Sequence, residues 1–279
     1  MTESEKIKET INSELDRAEN IWNDVKDEFL EKSVRVFCSL NESVEPSKIP
    51  GFPFVKSGEG KVGNFCAMVL DIRNSTNHLL QAYSNEKGVS QLQRVLYETT
   101  AINTLGLLCV DKYGGAITEF LGDGFLALFE TEENEAIYKV RHCAEKCLKY
   151  TLDIVNPILR ERYNLPNLSV GIGIAYSKAI VTLIGMENHY HPKAVGECVY
   201  RASKLSNGSD EILYDKSVKL FWPKTKDGLL RFKEKNIRMQ QMKNATLYIK
   251  TKHDGKRERK ENRDSIISTT RYTRNHSIH

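Results

Sequence analysis

Phe65-Cys-Ala-Met-Val-Leu-Asp71-Ile-Arg-Asn-Ser-Thr76 runs from an unbroken apolar stretch into a carboxylate and then into residues that open a helix. An apolar run of this kind reads as a buried strand, and Asn74, Ser75 and Thr76 suit the first turn of the helix that follows. A strand that ends this way presents Asp71 beside free backbone N–H groups. Those groups suit phosphate oxygens, and the carboxylate suits a hard divalent cation bridging the same phosphates. The plainer alternative is that Ser75 only caps the helix and Asp71 is an exposed strand end.

The second informative stretch is Glu119-Phe-Leu-Gly-Asp123-Gly-Phe-Leu-Ala-Leu-Phe129, a β-hairpin whose Gly122-Asp123-Gly124 turn allows φ > 0 on either side of the aspartate. Around these stretches, hydrophobic periodicity predicts a strand over 65–72, helices across 75–113, the hairpin over 116–130 and a long helix across 132–163. Strands at 168–176 and 179–185 and a helix at 197–206 complete the pattern. The order is α+β, a ferredoxin-like or palm-like mixed sheet with helices on one face. In such a sheet the first strand and the hairpin are neighbours, so Asp71 and Asp123 meet at one edge. Two carboxylates there can hold two Mg2+ or Mn2+ ions, the arrangement phosphoryl chemistry uses to activate a hydroxyl and neutralise a triphosphate. No Walker A loop, catalytic Cys-His pair or HExxH motif competes. Gly171-Ile-Gly173 superficially starts a dinucleotide fingerprint, but it sits inside an alternating apolar strand and is set aside.

The chain has 279 residues, 40% apolar and 28% charged, which suits one catalytic core with extensions. Residues 3–38 read as one amphipathic helix, with Ile7, Ile11, Leu15, Ala18, Trp22, Val25 and Phe29 recurring every three or four positions. That stripe packs either on the domain or on the same helix of a second chain, and packing within a homodimer is favoured. The expected division is an N-terminal helix over 1–50 and a Pro- and Gly-broken linker over 51–63. A catalytic domain over 64–250 and a basic, disordered tail over 251–279 follow. The net charge is +4, with Lys252, Lys256, Arg257, Arg259, Lys260 and Arg263 close together near the end. A solvated tail explains that run better than nucleic-acid binding. Six cysteines without a CxxC pair read as buried reduced thiols. With no apolar stretch long enough for a bilayer and no signal-peptide pattern, no membrane insertion and a cytoplasmic location are expected.

Taken together, Val69-Leu-Asp-Ile-Arg-Asn-Ser-Thr76, Gly114-Gly-Ala-Ile-Thr-Glu-Phe-Leu-Gly-Asp-Gly124, Val170-Gly-Ile-Gly-Ile-Ala175 and Ala194-Val-Gly-Glu-Cys-Val-Tyr-Arg-Ala-Ser-Lys-Leu205 resemble the class III adenylate and guanylate cyclase family. The likeness spans about Asn64 to Leu205. It implies a homodimer with two active sites at the interface. Asp71, Asp123 and the main-chain oxygen of Ile72 would bind two divalent ions, Mn2+ or Mg2+, and Asn74, Ser75 and Thr76 would cradle the triphosphate. In the last segment the family usually carries Asn and Arg as transition-state residues, where this chain has Tyr200 and Lys204. Lys204 still offers a positive charge to the α-phosphate, without the bidentate fork of Arg. Tyr200 can donate one hydrogen bond or stack.

The base-selecting positions depart as well. Glu119 stands where adenylate-type enzymes have Lys, and Lys193 where they have Asp. A carboxylate accepts from N–H and an ammonium donates to a carbonyl, so the pair fits the Watson-Crick edge of uracil or guanine, and less directly cytosine. The plainer alternatives are that Tyr200 packs at the dimer interface, Glu119 faces solvent and Lys193 is a loop charge. Short cyclases with a long N-terminal helix and this Tyr resemble the pyrimidine cyclases of bacterial antiphage Pycsar systems. That resemblance implies conversion of UTP or CTP to cyclic UMP or cyclic CMP, a messenger read by a downstream effector. A guanylate cyclase and a non-catalytic nucleotide-sensing domain are the alternatives.

Overall fold

The stretch that opens the sequence reading is the centre of the sheet. In the computed structural model, β3 (Gly60–Ile72) pairs antiparallel with β5 (Gly124–Glu130) on one side and with β6 (Val170–Ile184) on the other. The structure describes residues 2–25, 44–56, 60–80, 88–131, 135–185, 189–222, 230–236 and 246–252. Flanked on both sides, β3 buries both of its faces, as its apolar run requires. Cys66, Met68, Leu70 and Ile72 enter one core, and Phe65, Ala67 and Val69 enter a second core on the opposite face.

The described strands build an eight-stranded sheet ordered β4 (Ala116–Leu121), β5, β3, β6, β8 (Glu211–Tyr214), β10 (Thr246–Lys252), β9 (Leu230–Asn236), with β7 (His191–Gly196) paired to β6 off this path. Only the β6–β8 pairing is parallel among these, so the sheet is mixed, as expected. The separate strands expected at 168–176 and 179–185 are one continuous strand, because nothing at Ser177-Lys178 breaks its extended backbone.

The first core is covered by α1 (Glu3–Val25), α3 (Gln91–Lys112), α4 (Glu135–Tyr150) and α5 (Asn156–Tyr163). Helix α6 (Glu197–Leu205) covers the second core through Cys198 and Ala202. Helices therefore lie on both faces, which corrects the one-face expectation. A fully apolar strand needs cover on each side, and α6 supplies the second layer.

The helix expected across 132–163 is α4 continued through a π-helical turn, Thr151–Val155, into α5. Pro157 lies in the first turn of α5 and has no N–H for a carbonyl one turn back, a sufficient reason for the widened turn just before it.

Three boundaries differ from the sequence reading. Ile7, Ile11 and Leu15 are buried in the first core of their own chain, and Lys112 Nζ meets Glu3 Oε2 at 2.6 Å, so this half of the stripe packs on the domain and not on a second chain. The rest of the stripe, from Ala18 to Phe29, lies outside the described side chains. Within the expected helix and linker, β1 (Val44–Pro46) pairs antiparallel with β2 (Phe54–Lys56), and β3 already begins at Gly60. A two-stranded ribbon tolerates Pro46 and Pro53 at its ends because its outer edges need no donor, and Gly51 turns it at φ 78°. Strand β10 runs to Lys252, past the expected domain end, and residues 253–279 lie outside the description. Cys66, Cys109, Cys143, Cys147 and Cys198 are free and buried, as expected of reduced thiols; Cys38 is outside the described residues. No helix among the described residues is long and apolar enough to cross a membrane.

Candidate active site

Asp71 lies opposite Gly124 in the β3–β5 ladder, and the N–H of Ile72 donates to the carbonyl of Asp123 at 2.9 Å. The two aspartates therefore sit at one end of paired neighbouring strands. Gly124 enforces this closeness: a Cβ there would run into the carbonyl of Leu70. Neither Gly122 nor Gly124 has positive φ, which corrects the expectation for this turn. The second glycine is needed for the approach of two backbones and not for a left-handed conformation.

Beyond β3, Asn74 takes a left-handed conformation, φ 59°, which a short polar side chain tolerates. Its carbonyl accepts from the N–H groups of Asn77 (2.9 Å) and His78 (3.2 Å), starting α2 (Ser75–Leu80). The N–H groups of Ser75 and Thr76 precede the first helical acceptor, so the helix itself cannot satisfy them. The Ser75 hydroxyl donates to the Asp123 carboxylate, so its side chain serves the aspartate and does not merely cap α2.

Arg73 pairs with the Asp71 carboxylate, and its backbone N–H donates to the Ser169 carbonyl at 2.8 Å. Burial pulls the guanidinium below its usual pKa, while the charge of Asp123 acts in the opposite direction. A cation thus already occupies one carboxylate of this neighbouring pair, and two such carboxylates suit a divalent ion. No group of three or more His, Cys, Asp or Glu side chains among the described residues is arranged to hold a metal. Asp71 and Asp123 would supply the side-chain ligands, with the remaining positions left to main-chain oxygen, water and substrate phosphates, as hard cations accept. Bound there, such ions would activate a hydroxyl and neutralise phosphate charge.

Glu119 and Lys193 meet in an ion pair, Oε2 to Nζ 2.8 Å. A bulge makes this possible. Ile117 pairs with Ala127 and Glu119 with Leu126, leaving Thr118 as the extra residue. Were Thr118 an ordinary ladder residue, Glu119 would share the face of Ile117 in the first core; bulged out, it lets Glu119 turn to the face of Leu126 and α6. Lys193, on β7, is opposite Thr182 of β6, whereas Glu119 is level with Gly173 through Leu126 and Val69. In a flat sheet those nine positions would span ~30 Å at about 3.3 Å per residue. The contact therefore requires a strongly coiled sheet.

Helix α6 sits against β6 at two glycines. A Cβ on Gly171 would strike the Ser206 carbonyl, and one on Gly173 the Ala202 carbonyl. The Gly171-Ile-Gly173 pair is thus a seat for a helix. With Cys198 and Ala202 turned inward, Tyr200 is 50% exposed and Lys204 lies one turn on, its Nζ 5.6 Å from the Tyr200 ring centroid. Arg201, next to Tyr200, is committed to Asp215 (3.0 Å) and Glu197 (2.7 Å).

The predicted residues therefore fall into groups. Asp71, Ile72, Asn74, Ser75, Thr76 and Asp123 form one, Glu119 and Lys193 a second, and Tyr200 and Lys204 a third that follows Lys193 by one helix start. Among the described residues no hydrogen bond or ion pair joins the first group to the others. Sequence reasoning missed Arg73, although it stands inside the quoted motif. It also missed the Glu98 carboxylate, which is buried between Arg94 Nε and His78 Nδ1 at 2.7 Å each and ties α2 to α3.

A curled mixed sheet with these helices is the fold of the catalytic domain of class III nucleotide cyclases. Among solved structures the chain is similar to the guanylyl cyclase Cya2, at 18% identity over 68% of this chain and 91% of that one, TM-score 0.55. The adenylyl cyclase CyaB from P. aeruginosa is similar at 18% identity over 71% and 98% of the two chains, TM-score 0.55. A bacterial light-regulated adenylyl cyclase is similar at 16% identity and TM-score 0.53, with 69% of this chain spanning 52% of that one. No family model matches the chain, and no curated protein does. At these identities the likeness is one of fold.

Proposed function

We propose that this chain is a nucleotide cyclase that converts a pyrimidine nucleoside triphosphate, UTP or CTP, to its 3′,5′-cyclic monophosphate and pyrophosphate, as a homodimer. The observation that carries the reading is the meeting of Asp71 and Asp123 at one strand end of a cyclase fold.

In the reaction the ribose 3′-oxygen bonds to the α-phosphorus and the bond to the bridging oxygen breaks. Pyrophosphate leaves with that electron pair, and the 3′ proton passes to water. Asp71 and Asp123 would hold two divalent cations, Mn2+ or Mg2+, with the Ile72 carbonyl as a further ligand. The N–H groups of Ser75 and Thr76, next to Asn74, bind triphosphate oxygens. Lys204 neutralises charge developing at the α-phosphate, and Tyr200 donates to the ribose or phosphate.

Glu119 and Lys193 read the base. Uracil and guanine present a carbonyl acceptor beside a ring N–H donor, which suits an ammonium next to a carboxylate. Cytosine presents the reverse order, so UTP is favoured among pyrimidines. The same edge supports a second reading, a guanylate cyclase. Because no hydrogen bond or ion pair among the described residues joins the Asp71–Asp123 group to α6, a second copy facing it would complete each site, with exposed Tyr200 and Val195 available for that contact. By the same resemblance to the Pycsar pyrimidine cyclases, the cyclic product serves as a messenger in antiphage defence that activates a downstream effector in the cytoplasm.

The test is incubation of the purified chain with ATP, GTP, CTP and UTP plus Mn2+, with Asp123→Ala alongside and mass detection of cyclic product. Cyclic UMP or CMP, lost in the variant, is the expected result. Cyclic GMP would select the second reading, and no product from any nucleotide would leave a nucleotide-sensing domain.

A further inference from the structure

Two carboxylates at one strand end repel one another unless a cation stands between them. Here the cation at hand is Arg73, paired with the Asp71 carboxylate at the strand end that Asp71 shares with Asp123. Its position is fixed at the main chain by the bond to Ser169, and its side chain is only 18% exposed. The guanidinium is incompletely satisfied, because its Nε is buried without a hydrogen-bond partner among the described residues. An arginine this buried with an unmet donor costs free energy that release into water or onto an anion would recover.

We propose that Arg73 is the resident counter-cation of the Asp71–Asp123 pair and is expelled when a divalent ion binds, so that metal loading and Arg73 release are one exchange. The proposal rests on the reading of these aspartates as metal ligands. A divalent ion and a guanidinium cannot share the same oxygens at contact distance, because their like charges repel in a partly desolvated site. The apparent metal affinity of the nucleotide-free protein is therefore lowered by the fraction of molecules in which Arg73 holds the pair.

The experiment has two arms on the full chain. In the first, Mn2+ is titrated into nucleotide-free wild type, Arg73→Gln and Asp71→Asn, with free Mn2+ read by electron paramagnetic resonance and folding checked by circular dichroism. Arg73→Gln should bind Mn2+ about tenfold more tightly than wild type, the ratio expected if the competing state holds most of the population. Equal or weaker binding in folded Arg73→Gln overturns the exchange, while loss of binding in Asp71→Asn shows that the metal pair itself stands. Absence of Mn2+ binding in every form overturns both. The second arm needs no variant: wild type is labelled with phenylglyoxal, and modification of Arg73 is followed by peptide mass spectrometry. Mg2+ should accelerate labelling at Arg73, and an unchanged or slower rate overturns the proposal.

Discussion

Glu119 and Lys193 form a 2.8 Å ion pair although the strand register sets them nine positions apart along β6. The coil of the sheet and the single extra residue Thr118 bring them together. The pair is about one-third exposed, so its worth is in geometry and selectivity more than in stability. Exchanging the charges in a Glu119→Lys, Lys193→Asp double variant reverses donor and acceptor along the base edge. Product analysis with all four nucleotides should show preference moving toward ATP, and Glu119→Gln alone should lower kcat/KM for the native substrate about tenfold to a hundredfold. Unchanged selectivity in the double variant would remove the pair from base reading.

Asp123 accepts from Ser75, and its carbonyl accepts from Ile72, so its side chain can be removed while the strand pairing persists. Asp123→Ala should lower the rate of cyclic product formation on the order of a thousandfold, the scale of a lost electrostatic or metal contribution, with the circular dichroism spectrum retained. A residual rate within tenfold of wild type would rule out the two-metal assignment.

Gly173 lies beneath α6, where any Cβ meets the Ala202 carbonyl. Gly173→Ala should push α6 away and cost about 1–3 kcal/mol of stability, the usual penalty of overpacking. Denaturant unfolding measures the loss. Because Tyr200 and Lys204 ride on that helix, turnover should fall by a larger factor than substrate affinity.

Glu98 is 1% exposed and lies between Arg94 and His78. Glu98→Gln removes the buried carboxylate charge that meets Arg94 Nε, and breaking a buried pair costs about 3–5 kcal/mol. A midpoint shift in urea smaller than that of an exposed control such as Glu9→Gln would show the pair to be unimportant.

Burial pushes the thiols of Cys66 and Cys198 and the phenol of Tyr214 up from their ordinary values of 9.0 and 10.0. Each group favours folding while it stays protonated in both states, and the unfolded chain loses its proton first as pH rises. Their contribution is therefore complete below about pH 9 and declines above it. Thermal unfolding followed from pH 7 to pH 10.5 should show Tm falling in the upper part of that range, and Tyr214→Phe should lessen the fall above about pH 10.

The apolar run 65–72 announced its strand, and the Gly122-Asp123-Gly124 turn announced its hairpin, because both are local patterns read at the period of the element. Asp71 and Asp123 could be placed together for the same reason, since neighbouring strands joined by a short order of elements leave few alternatives. Arg73 stood in plain view in the motif yet carried no periodic signal, since a charge just past a strand end does not say which side chain it will meet. The second-face position of α6 and the use of Gly171 and Gly173 as its seat were equally hidden, because a glycine in a strand does not say which backbone approaches it.

What the sequence by itself determined is the succession from β3 through its helices to the β4–β5 hairpin, the buried centre of the sheet and the two carboxylates at one strand end, all set by local periodicity and turn chemistry. What only the tertiary structure decided is which charges meet. The coil of β6, the bulge at Thr118 and the close approach of α6 are products of packing between segments distant in sequence. Those long-range approaches bring Glu119 to Lys193 and set α6 in its place, while the turn after β3 folds Arg73 back onto Asp71.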